Sequence, residues 1–90
     1  MFDFALSDEL KLKIKKLIQK DRRKVEILNK KIKEIIANDS STIQRYKNLR
    51  YGLKGYQRVH IDKYFVLTFK VNASRNFILF VDFSHHDTAY

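Results

Sequence analysis

The hydrophobic period changes once along this chain, near Tyr51, and that change limits what it can fold into. Before it, Leu10, Ile14, Leu17 and Ile18 recur at helical spacing, and Val25, Leu28, Ile32, Ile35 and Ile36 do so again. After it the chain becomes aromatic and β-branched. Phe65, Leu67, Phe69 and Val71 then alternate with other residues, the pattern of a strand with one buried face. Two amphipathic helices followed by a run of strands must therefore bury their apolar faces against each other.

The remaining elements follow from local chemistry. Phe2, Phe4 and Leu6 alternate and suit a short first strand with one buried face. Ser7 can cap the first helix, with Asp8 and Glu9 favourably placed in its first turn. The basic pair Arg22-Arg23 is expected to mark a bend, and Asn38-Asp39-Ser40-Ser41 ends the second helix with turn chemistry. Strands are expected over Tyr56 to Ile61, Tyr64 to Val71 and Phe77 to Ser84, with a hairpin-like loop from Asn72 to Asn76. Short links favour an antiparallel meander. The expected fold is α+β: order β-α-α-β-β-β, an antiparallel sheet with a two-helix hairpin packed on one face, and a single domain over 1–90.

Lys and Arg number 19 against 10 acids, a formal charge of +9. Such a balance raises the local concentration of polyanions, nucleic acid first and anionic membrane second. The chain has no cysteine, which excludes disulfides and thiolate metal sites. No apolar run approaches the roughly 20 residues of a membrane span. The early acid and missing basic region at the N-terminus do not read as a signal peptide, so a cytoplasmic protein is expected. The first helix region is densely basic, and Lys11, Lys15, Lys16, Arg22 and Arg23 are candidates for contacting ribosomal RNA. A merely solvated helix face is the plainer reading of any single lysine.

Function is expected on the sheet face that the helices leave open. If Val59 and Ile61 point to the helices, then Tyr56, Arg58 and His60 point away. By the same alternation Tyr64, Thr68 and Lys70 go outward, and Asp82, Ser84 and His86 share a face, with His85 at the strand end. All 3 histidines fall in the last third of the chain, and each is expected to reach one end of a single sheet face. Imidazoles suit the two proton transfers of RNA cleavage through 2′-hydroxyl attack. Lys and Arg stabilise charge at phosphorus, and Tyr can stack on a base. His60, His85, His86, Arg58, Lys54 and Tyr90 supply those types, and no metal or other cofactor is expected. Adjacent His85, His86 and Asp87 point in divergent directions and have no second ligand pair at a metal-binding spacing. A two-metal nuclease would need converging carboxylates, and Asp62, Asp82 and Asp87 fall on different elements.

Two motifs look familiar. The stretch Leu53-Lys54-Gly55-Tyr56-Gln57-Arg58-Val59-His60-Ile61, followed by a strand closing on Phe69-Lys70, resembles the YafQ branch of the RelE/ParE toxin superfamily. The ending Ser84-His85-His86-Asp87-Thr88-Ala89-Tyr90 resembles that superfamily's C-terminal signature. The resemblance implies a RelE-like microbial RNase fold and the toxin of a type II toxin–antitoxin system. It implies ribosome-dependent, metal-independent cleavage of mRNA, hence inhibition of translation. It also implies a cognate RelB-like antitoxin, with operator DNA reached only through the antitoxin complex. His60 matches the strand histidine, His85 or His86 the terminal one, and Tyr90 the closing aromatic. Where that branch has a further histidine, Lys47 falls nearby with Arg50 and Lys54. Where it has an acid, this chain has Tyr64, and where RelE places a strand arginine it has Val66. Lys47, Arg50 and Asp87 are accordingly substrate-binding candidates, and the general base is open. The alternatives are a ParE-like toxin that blocks DNA gyrase and cuts nothing, or a non-enzymatic ribosome- or RNA-binding module.

Overall fold

The computed structural model describes residues 1–48 and 55–85, with Lys47 and Asn48 described in their backbone alone. The chain runs β1 (Asp3–Leu6), α1 (Asp8–Lys20), α2 (Arg22–Ile36), β2 (Lys47–Asn48), β3 (Tyr56–His60), β4 (Phe65–Asn72) and β5 (Phe77–His85), with short 3-10 turns at Thr42–Arg45 and Ala73–Arg75. The architecture is α+β, as the change of period requires.

Ser7 caps α1 by accepting the amide of Leu10 at 3.1 Å, while its own hydroxyl donates to the carbonyl of Val81. The cap thus fastens the start of α1 to β5. The bend between the helices falls at Asp21, one residue before the expected Arg22-Arg23 pair. Asp21 leaves the helical region (φ −153°, ψ 83°), so α1 stops there. Its amide donates to the carbonyl of Leu17 at 2.7 Å, and its carboxylate accepts the amide of Lys24 at 3.0 Å. An Asp can cap a new helix in this way; the arginines that follow already belong to α2.

The strands form one sheet of order β1-β5-β4-β3-β2. β2 to β5 pair antiparallel, whereas β1 lies parallel to β5, with Phe4 opposite Ile78 and Leu6 opposite Phe80. The sheet is therefore mixed, and the short β2 adds a strand to the expected order. Leu10, Leu28, Ile32 and Ile35 from the helices pack with Leu67, Phe69, Ile78, Phe80 and Phe83 on one sheet face. Phe2 joins that core, but Phe4 remains 46% exposed, edge-on to Phe80, because β1 is the sheet margin. Ile18 is likewise exposed rather than buried with its stripe.

A register shift between Thr68 and Phe69 positions everything that follows. Phe69 faces Phe80 while Thr68 faces Asp82, so Val81 is an extra residue in β5. The bulge lets Phe80 and Phe83, three apart in sequence, both enter the core, and it keeps Asp82 out of it. Lys13 of α1 reaches over the sheet margin to Asp82 Oδ1 at 2.6 Å.

Candidate active site

The sheet face turned from the helices reads, strand by strand, as rows of register partners. Tyr56 stands opposite Lys70, Arg58 opposite Thr68, and His60 opposite Val66; across β4, Thr68 faces Asp82 and Val66 faces Ser84. Gln57 and Ile61, in phase with Val59, are buried on the helix side, so Arg58 and His60 share the other face. Their positions are about 6.7 Å apart along the strand. His60 is exposed at the strand end and Arg58 is half-buried. Lys47 of β2 stands in register with Arg58. At the other end of this face Lys70 lies 5.3 Å from the centre of the Tyr56 ring. The middle of the face is not bare: Val66 and Thr68 are buried, Thr68 on the outward face that the alternation gives it. Both sit on the central strand between β3 and β5.

His85 departs from the expected convergence. It is the last residue of β5 and stands opposite Phe65, not opposite Val66. Phe65 packs against the helix-side core, and its ring is stacked on buried Phe83 at 5.1 Å. The imidazole of His85 meets Phe65 edge-on at 5.5 Å and lies nearly parallel to Tyr64 at 6.0 Å. With two strand spacings between β3 and β5, His85 and His60 are about 10 Å apart across the sheet and on opposite faces. The structure therefore brings Arg58 and His60 together and separates His85 from them. His86, Asp87, Tyr90, Arg50 and Lys54 lie outside the described residues.

The basic candidates on the helices form a second, separate surface. Lys11, Lys15, Lys16, Arg22 and Arg23 are all exposed, on the helical layer rather than on the face of Arg58 and His60. A groove lined by Ile18, Arg22, Val25 and Glu26 also lies on that layer. Among the described residues no group of three metal-ligating side chains converges, and no helix is long and apolar enough to cross a membrane.

The turn between β3 and β4 was not singled out by spacing, yet two amide bonds and an ion pair fix it. Asp62 accepts the amides of Tyr64 at 2.8 Å and Phe65 at 3.2 Å, and pairs with Lys24 Nζ at 3.1 Å. These bonds hold its carboxyl below the usual range, the amide of Tyr64 first among the causes and Lys24 next among those that lower it. The ammonium of Lys24 also sits 4.0 Å from the centre of the Phe65 ring. An Asp followed three residues later by a strand start is the available sequence signal for such a turn.

A Methanocaldococcus jannaschii protein assigned by name as the toxin RelE4 is 40% identical to this chain over 90 residues, which is 100% of this chain and 92% of that protein. The chain belongs to the RelE family of toxins, from toxin–antitoxin systems. An uncharacterized protein of Methanosarcina mazei is 37% identical over the full length of both. No family model matches the chain. Among solved structures, this RelE-like fold superposes on YafQ of Escherichia coli with TM-score 0.74 at 20% identity, covering 100% of this chain and 99% of that one. A metal-bound toxin of Helicobacter pylori superposes with TM-score 0.77 at 18% identity over 100% of both chains. YafQ in its complex with DinJ does so with TM-score 0.66, covering 100% of this chain and 99% of YafQ. These likenesses support the same fold: two helices on one face of a mixed sheet.

Proposed function

We propose that this RelE-family toxin inhibits translation by cutting messenger RNA on the ribosome, without a metal. The observation that carries the reading is Arg58 beside His60 on the sheet face the helices leave uncovered. An imidazole beside a guanidinium supplies a proton-transfer group and a fixed positive charge for one phosphodiester.

The chemistry needs no other reactant. The 2′-oxygen of the RNA attacks the adjacent phosphorus and gives up its proton to a base. The bond from phosphorus to the 5′-oxygen breaks, and that oxygen takes a proton from an acid. The products are a 2′,3′-cyclic phosphate and a 5′-hydroxyl. His60 serves one proton transfer. Because His85 turns to the helix side, His86 is the candidate for the other. Arg58, with Lys54 and Lys47, stabilises the charge on the phosphorane, Tyr90 orients the substrate, and Arg50 and Asp87 contact it. A cognate antitoxin binds the toxin and holds it silent; the solved E. coli DinJ–YafQ complex supports a partner of that kind.

Primer extension on messages from translating cells tests this. Wild-type expression should create new 5′-hydroxyl ends, and His60→Ala or His86→Ala should slow cleavage about 10²–10⁴-fold while the protein stays folded. Undiminished cleavage in both variants would refute the assignment. Intact messages with damaged DNA would instead favour the gyrase-blocking alternative.

A further inference from the structure

We propose that Tyr64 and His85 form a stacking platform for an unpaired RNA base at the end of the sheet; this rests on the reading of the chain as an RNA-cutting toxin and deepens it by a substrate-binding site. Tyr64 is a large aromatic residue left 59% exposed. Its ring lies only 15° from parallel to that of His85, at 6.0 Å between centroids, and His85 is itself exposed. Such an offset pair extends naturally by one more flat ring, and every nucleobase has one.

The platform is built on a rigid base. His85 abuts Phe65 edge-on, and Phe65 stacks on Phe83, which is buried in the core. The backbone beneath Tyr64 is pinned by the two amide bonds to Asp62, and Asp62 is held by Lys24. Binding to preformed rings therefore orders little new structure, which keeps its entropic cost small. Exposed Lys63 adjoins Tyr64, and the formal charge of +9 draws a polyanion to the surface. Position matters as well. His60 ends β3 and Tyr64 follows it across the four-residue link to β4, so platform and imidazole lie at the same end of the sheet. His85 is on the helix side and His60 on the other face, so an RNA strand that rounds this end of the sheet meets both.

The test uses the whole chain and a short single-stranded 2′-O-methyl RNA, which binds but offers no nucleophile for cleavage. Its abasic counterpart serves as the control. By anisotropy, Tyr64→Ala should weaken binding of the base-bearing RNA roughly five- to a hundredfold. Tyr64→Phe should keep the affinity, and the abasic RNA should bind wild type and Tyr64→Ala alike. Equal affinity of wild type and Tyr64→Ala for the base-bearing RNA, or equal losses in Tyr64→Phe and Tyr64→Ala, would overturn the platform. So would a wild type that binds no RNA, as expected of a surface that packs on protein instead. If binding behaves as expected while wild-type protein cuts no message in cells, the platform is upheld and the nuclease reading fails.

Discussion

Gln57 shows how one side chain ties the site's strand to the rest of the fold. It is 2% exposed, and its Nε2 donates to the carbonyls of Ile43 at 3.2 Å and Tyr46 at 3.3 Å. One amide thereby anchors the segment after α2 to β3, the strand that carries Arg58 and His60. Replacing it with Ala leaves both carbonyls without that donor, the one at Ile43 in a buried setting. The expected loss is about 1–3 kcal/mol, which lowers Tm by roughly 5–20 °C in a domain of this size. A circular-dichroism melt of Gln57→Ala reads this directly, and an unshifted Tm would mean the two carbonyls find other donors. Gln57 is in phase with Val59 and Ile61, so its burial was legible from alternation, but its polarity drew it out of the apolar count. His85 was less legible. Adjacent histidines at a strand end differ in face by a single residue, and only the register fixed by the Val81 bulge assigns His85 to Phe65.

At the level of elements, the helices and the three-strand meander were legible because each rests on local chemistry: apolar stripes, a Ser7 cap, and the change of period. The pairing of β1 was not. Its partner β5 lies at the other end of the chain, and an alternating apolar triplet says which face is buried but not which edge is joined. β2 spans two residues and carries no periodic signal at all. The link between α2 and β2 is organised by Asp39, whose Oδ1 accepts the amides of Ser41 and Thr42, each at 2.9 Å, and the hydroxyls of Ser41 at 2.8 Å and Thr42 at 3.2 Å. Those bonds, the amide of Thr42 foremost, pull its carboxyl from 3.8 to about 2. A folded-state value below the unfolded one means the contribution is fully present above about pH 4 and is lost as pH falls toward 2. Asp62 shifts in the same direction. Asp39→Asn should therefore flatten the fall of Tm between about pH 4 and 2 relative to wild type. Parallel acid profiles for the two proteins would show that the loop's hydrogen bonds do not persist in solution.

Across the whole molecule, charge and candidate chemistry lie on different layers. The exposed cations Lys11, Lys15, Lys16, Arg22 and Arg23 belong to the helices, while Arg58 and His60 face away from them. A phosphate backbone that meets both must wrap around the domain, or the helical cations must grip a second body such as ribosomal RNA while the sheet face takes the message. Either arrangement makes binding depend on salt through the cations, whereas a solvated helix face would not. Changing Lys15 and Lys16 together to Ala removes two exposed charges from α1 and should move stability by no more than about 0.5 kcal/mol. If both touch phosphates, the slope of log affinity for ribosomes against log salt should fall by about 1.4. Filter binding or sedimentation across a salt series measures that slope. An unchanged slope with unchanged affinity would assign the lysines to solvent, and would leave the proposed ribosome contact to the sheet face around Arg58.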